Sequence, residues 1–401
     1  MTNTTTTLRI ENGLVFDGES PDLRDETIEM AGGVITDERV REPDRVINAL
    51  GSVVVPGLID AHFHAYGVSL DGVAIETSPL SYLALKGAQR LRRALARGFT
   101  TVRDVAGGDA GLAAAIAQGL VASPRYFYTG AALSQTGGHG DPRAEDADLC
   151  LHGGHSMETV DGVDALRHAV RDRFRRGAHA IKVMTSGGVM TPTDPLRNPQ
   201  YSAEEIRAVT EEASRRGSYV AAHAYSPEAI VHSVENGVRS IEHGNLLDPQ
   251  TADLMYAREA FLVPTLAAHG AVDRRGAELG LTSFQQRKNT EVLASGQRAI
   301  QLAHDAGVRI GFGTDLMGEL ETDQLSGLRL QVEAAGVLET LRSATSVNAA
   351  LLGRDDVGHI RPGACADVVI LDGNPFEEGS ILWDDSRPRT VIQAGTVIQA
   401  P

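Results

Sequence analysis

Six residues of this 401-residue chain have the types and spacing for metal-assisted hydrolysis: His62, His64, Lys182, His223, His243 and Asp315. They stand in the strings DAHFH, IKVM, AAHAY, IEHG and GTD, and each string closes a short apolar, β-prone run. His62 and His64 are two apart, so on a strand both imidazoles point to one side and can grip one ion. Imidazole nitrogen suits zinc and its first-row neighbours. Either His223 or His243 alone reads most simply as a satisfied core histidine, but their equivalent places at successive strand ends favour ligation. Asp315 reads as a helix N-cap, or as a carboxylate that binds a metal through one oxygen and takes a proton from bound water through the other. Lys182 is the odd member, because an ammonium at a strand end facing a core is costly. It is either a lysine whose head snorkels to solvent or a neutral amine that has taken up carbon dioxide. The carbamate so formed is an anionic, bidentate ligand able to bridge two cations.

Eight strand-like runs must position these residues: 53–64, 99–105, 125–130, 179–184, 219–225, 239–244, 260–266 and 308–315. Helical patterns separate them. In 161–176, Val163, Leu166, Val170 and Phe174 keep a three-to-four spacing that makes one apolar face. Ser202 followed by Glu205 is a capping-box signature, and Ile206, Val209 and Ala213 continue the stripe. Alternating strands and helices predict a parallel sheet, and eight units predict closure into an α/β, (β/α)8 TIM-type barrel. Its C-terminal face is where such barrels keep their chemistry. Both chain ends read as short strands and turns, which most simply pair as a small β-sandwich. The expected organisation is therefore 1–55 and 356–401 in the sandwich and 56–355 in the barrel. Two segments, 131–158 and 185–201, are long for barrel loops and read as lids or binding loops. Thr4–Thr7 reads as a frayed terminus.

Composition narrows the partners. Apolar residues at 42% and charged residues at 22% are ordinary for a soluble globular protein. A net charge of −16 repels polyanions, which argues against nucleic acid and anionic membrane surfaces. No run approaches 18 apolar residues, so no membrane span is expected. The two cysteines, Cys150 and Cys365, make no disulfide framework, and no signal-peptide pattern is visible; both point to the cytoplasm.

The strings VPGLIDAHFH, IKVM, AAHAY, SIEHG and GTD, with the terminal GACADVVILDGNP, resemble the amidohydrolase superfamily over essentially the whole length. SQTGGHGD (134–141) and SGGVMTPTD (186–194) resemble its imidazolonepropionase-like branch of Xaa-Pro and Xaa-Arg dipeptidases, ochratoxin-type amide hydrolases and carbamate or urea herbicide hydrolases. The resemblance implies that His62, His64, Lys182 and Asp315 hold one metal, and that carboxylated Lys182, His223 and His243 hold the other. It implies two divalent ions, zinc by default with cobalt or manganese also suited, and a homo-oligomer.

The expected reaction is hydrolysis of a C–N amide bond in a small molecule: a dipeptide, an N-acyl amino acid, or a xenobiotic amide or carbamate. A metal-bridging hydroxide attacks, and Asp315 carries its proton to the leaving amine. Tyr225, two residues after His223, faces the same way and could donate to the carbonyl oxygen or anchor a substrate carboxylate; it could also be core packing. His139, in the Gly-rich TGGHGD loop, is a second substrate-contact candidate or simply a loop histidine. His152 and His155 read as solvent-exposed. Gly187 and Gly188 would let the loop backbone approach the site, and Asp104 would orient a ligand from behind. The alternatives are a cyclic-amide or imidazolone hydrolase, a deaminase, which needs no bridging lysine, and a non-catalytic assembly protein on the same barrel.

Overall fold

The computed structural model describes residues 6–143, 154–191 and 194–399. Eight strand positions make the barrel: β1 (Leu58–Phe63), β2 (Phe99–Asp104), β3 (Arg125–Tyr128), β4 (Ile181–Met184), β5 (Val220–Ala224), β6 (Ser240–His243), β7 (Phe261–Val263) and β8 (Arg309–Ile310). Neighbours pair in parallel from β1 to β3 and from β4 to β8. The His179 amide donates to the Tyr128 carbonyl (2.8 Å), joining β3 to β4. The barrel closes where Ala61 N–H donates to Phe312 O (2.9 Å) and Asp315 N–H to His62 O (2.8 Å).

Helices cover the outside because one face of each is apolar. Val163–Arg175 buries Leu166, Ala169, Val170 and Arg173, a one-sided stripe. Ala203–Ser214 begins at Ser202 with the expected capping box, both reciprocal bonds being present. The stripes meet Val183, Ala222, Ala224, Ile241 and Leu262 from the outer face of the strands in one cluster. Residues one place along each strand are thereby left to face the barrel axis.

The chain ends form two facing sheets. One runs in the order Val34–Thr36, Ile28–Ala31, Thr7–Glu11, Arg45–Asn48; the other joins Val53–Pro56 to Val368–Leu371 and the last two strands. Leu8, Ile10, Met30, Val54, Val368 and Ile392 pack between them, so the expected β-sandwich is present. A bidentate pair, Arg125 to Asp367 (2.8 and 3.1 Å), ties β3 to this sandwich.

Three expectations need correction. The run 53–64 is two strands broken at Gly57: Val53–Pro56 belongs to the sandwich and only Leu58–Phe63 to the barrel. Val54 packs in the sandwich, whereas Val53 and Val55 join the cluster beneath the barrel, so alternation serves two cores. The 131–158 segment begins with a further short strand, Ala132–Ser134, and runs into another, Met157–Thr159; together they extend the sheet beside β4. Thr7 is not frayed but starts a strand, its amide and hydroxyl both bonded to Asp44 (2.8 and 2.9 Å).

Candidate active site

The six expected donors line one cavity of about 400 Å³ at the C-terminal ends of the strands. His62 lies where the pairing of β1 with β2 is irregular, between Asp60 and Phe63. Lys182 and His223 reach the cavity by ordinary alternation, since their neighbours Val183, Ala222 and Ala224 face the helices. His243 does not. On β6, Ile241 faces the helices and Ser240 and Glu242 face inward, so alternation alone would send His243 outward. Its φ of +76° turns the chain, and the ring enters the cavity. Thr265 (φ +48°) and Asp315 (φ +55°) make the same left-handed turn at the next two strand ends. Such conformations are costly for residues with a Cβ and cluster where function demands a direction. Gly313 allows the close crossing, because a Cβ there would stand 2.5 Å from that of His62.

Most of the histidines have one ring nitrogen tied down and leave the other for the cavity. His62 Nδ1 lies 2.7 Å from Glu242 Oε2, and its Nε2 lies 3.3 Å from Asp315 Oδ1. His243 Nδ1 meets Thr265 Oγ1 at 2.7 Å, and His223 Nε2 meets Gly187 O at 3.1 Å. His64 Nε2 approaches Asp315 Oδ1 at 2.8 Å. Fixed tautomers of this kind are how proteins aim imidazoles at a cation. Burial, then the neighbouring imidazole, drives the pKa of His223 and of His243 well down, which keeps both neutral. For Asp315, burial acts upward, but His62 and hydrogen bonds from His62 and His64 hold the carboxyl well below its usual range.

Lys182 is 2% exposed, and among the described residues no carboxylate lies within 4.0 Å of its Nζ. Burial pulls its pKa down to about 8, against the opposing influence of Glu242 and Asp315. It does not snorkel. A buried amine without an ion pair, four converging imidazoles and a carboxylate form a donor set that suits divalent cations. Nitrogen and oxygen atoms of His62, His243 and Asp315 all lie within 4.8 Å of one another.

Behind the donors is a layer that sequence reasoning missed. Glu242 holds His62 on one oxygen and Arg103 Nη2 on the other (2.7 Å), and Ser240 Oγ donates to it as well. Arg103 is 1% exposed and also bonds Ala61 O (2.6 Å). Glu242 is legible in principle, because it shares the inward phase of Ser240, but the adjacent His243 is the more conspicuous residue. Arg90 is fixed from the helix Leu80–Ala96 and bonds the carbonyls of His64 (3.2 Å) and Leu316 (2.6 Å), bracing both ends of the closure. Asp104 braces backbone rather than a ring: its Oδ2 accepts from Ala65 N–H (3.0 Å), directly after His64.

Tyr225 and His139 both line the cavity. The Tyr225 ring stacks on His243 (4.8 Å between centroids), and its hydroxyl lies 3.4 Å from His269 Nε2. His269, held by Asn289 (3.0 Å), is not among the expected residues; it sits on a helix, not at a strand end. His139 stacks on His223 at 4.1 Å, and a Cβ at Gly188 would collide with its ring at 2.0 Å. The backbone of the 186–191 segment therefore does approach the site, with Gly187 O on His223. His155 is half-buried rather than exposed, its amide bonded to Glu76 (2.6 Å). Cys365 is free and half-buried; His152 and Cys150 lie outside the described residues.

An α/β barrel with this donor set on its C-terminal face defines a class of enzyme site rather than a particular enzyme. The Amidohydrolase family model matches residues 53–398, and the chain belongs to that family. It is 32% identical to ochratoxinase of Aspergillus niger over 97% of this chain and 86% of that protein. A prolidase structure in complex with N-methylphosphonate-L-proline superposes with a TM-score of 0.94 at 41% identity, covering 99% of this chain and all of the other. A Xaa-Pro dipeptidase with methionine bound in its active site superposes at 0.86 and 29% identity, over 98% of this chain and all of the other. The protein is thus an amidohydrolase acting on carbon–nitrogen bonds. Among the described residues no helix is long and apolar enough to cross a membrane.

Proposed function

We propose that the protein is a two-metal hydrolase of amide bonds in dipeptides or N-acyl amino acids. The observation that carries this reading is the convergence of His62, His64, Lys182, His223, His243 and Asp315 on one cavity, with Lys182 buried and without an ion pair. In this reading His62, His64, Asp315 and the Lys182 carbamate hold one ion, and His223, His243 and the same carbamate hold the other. Zinc, cobalt or manganese bound there would supply water activation at neutral pH and polarisation of the scissile carbonyl. The relatives support the substrate class: one is a prolidase bound to a proline phosphonate and another a Xaa-Pro dipeptidase.

The chain's own groups divide the remaining work. Asp315 is held ionised by His62 and His64, so it can accept a proton from water and return it to the leaving nitrogen. Tyr225, with burial keeping its phenol protonated, supplies an O–H to a substrate carbonyl or carboxylate. His139, stacked on His223, borders the same space and contacts the substrate beside it. The test is Asp315→Asn. The variant should lose at least a hundredfold in kcat while keeping most of its metal; an Asp315→Asn protein that stays active would remove Asp315 from the proton path.

A further inference from the structure

The donors line part of the cavity; much of the remaining wall is apolar, with His139, His269, Gln285 and Asn289 among its polar members. Leu70, Met190, Val272, Leu281, Met317 and Leu320 come from segments far apart in sequence and close one wall. Most belong to a single apolar cluster, and Leu70, Met190 and Met317 remain half-exposed toward the cavity. Met157 and Met184, also on the lining, pack with Ala106 in a second apolar cluster. Four of the chain's seven methionines therefore line one space. Methionine is flexible and polarisable and packs well on aromatic faces. Among the described lining residues there is no arginine, no lysine except Lys182, and no carboxylate except Asp315 and Asp71; Asp71 is exposed at the rim.

The wall is fixed before anything binds. Gln285 Nε2 donates to Met190 O (2.6 Å). Lys288 is buried on the same helix and donates to the carbonyls of Gly188, Thr191 (2.7 Å) and Asp194 (3.3 Å). Its charge is spent on the loop backbone and not offered to the cavity. Preorganisation of this kind lowers the cost of binding.

We propose that this compartment receives a bulky, uncharged aromatic or branched apolar group next to the scissile amide, and so sets the specificity of the enzyme. The inference rests on the amide-hydrolase reading above. Apolar area would be buried against methionine and leucine. Away from the metal donors, an acidic group would lose its hydration with no arginine or lysine among the described lining residues to meet it, and a basic group would find only Asp71 among the described lining carboxylates there. The expected order is apolar, then basic, then acidic.

The test measures kcat/KM of the metal-loaded protein on two series, Xaa-Pro dipeptides and N-acetyl-Xaa, with Xaa as Phe, Leu, Gly, Arg and Glu. Phe or Leu should exceed both Gly and Glu by at least tenfold, about 1.4 kcal/mol, in at least one series; parity in both overturns the proposal. Leu279 lines the same wall; Leu279→Gln and Met190→Gln should each lower the Phe-to-Gly ratio at least threefold, and a ratio unchanged in both overturns it too. If no amide in either series is hydrolysed, the amide-hydrolase reading fails. Calorimetry with 4-phenylbutyrate and butyrate then decides the compartment separately. At least tenfold tighter binding of 4-phenylbutyrate supports it, and equal affinity overturns it.

Discussion

The two halves of the barrel mouth present their donors differently. On β4 and β5, Lys182 and His223 face inward because alternate residues on a strand share a side. At the ends of β6, β7 and β8, His243, Thr265 and Asp315 are aimed by left-handed turns that break that alternation. The first half places groups at no local cost. The second stores backbone strain, and it can do so only because hydrogen bonds hold the result: His243 to Thr265, Asp315 to His62 and to His64. Donors aimed by strain depend on their partners, whereas donors aimed by alternation depend on the layer beneath.

That difference can be broken from either side. The larger effect is expected from the layer behind the donors. Glu242→Gln puts an amide between His62 and Arg103 and leaves the buried guanidinium without its carboxylate. Metal affinity should fall about 10- to 100-fold, read by competition with a chromophoric chelator; an unchanged affinity would mean that His62 is not positioned by Glu242.

A second effect concerns Lys182. Only a neutral amine adds carbon dioxide, and burial has brought this amine's pKa down to about 8. The reactive fraction thus rises about tenfold per pH unit below that value and levels off above it. Reactivation of metal-stripped protein with zinc at fixed dissolved carbon dioxide should follow this curve between about pH 6 and 9. A rise that continues toward the ordinary lysine pKa would show that burial does not tune this group.

The smallest effect is expected at the strained half. Thr265→Gly relieves a β-branched residue at φ +48° but removes the hydroxyl on His243 Nδ1. The melting temperature should hold or rise slightly while kcat/KM falls several-fold. A loss of stability with full activity would show that the Thr265 hydroxyl does not aim His243.

The same contrast explains what can be read from the chain. The barrel, the paired ends and the donor strings follow from period-2 and period-3.6 patterns, which local sequence carries directly. His243 belongs in the cavity by its station in the repeating pattern, although strict alternation argues against it; the turn that reconciles the two is a backbone feature no spacing reveals. Gly57 hides a change of sheet inside one apolar run, because both halves of VVVPGLIDAHF are equally β-prone. Arg103, Arg90 and His269 are invisible to local pattern because their partners are 20 or more residues away, as with Arg103 and Glu242, 139 apart.

Whether Lys182 joins two ions through a carbamate decides between a bridged two-metal centre and a simpler one. The direct measurement is metal analysis together with 13C NMR of protein reconstituted with zinc and 13C-bicarbonate, beside Lys182→Ala. The bridged centre requires two ions per chain and a carbamate resonance, with the resonance gone and the metal content reduced in the variant. Full activity with one ion, no carbamate signal and an unimpaired Lys182→Ala protein would contradict it.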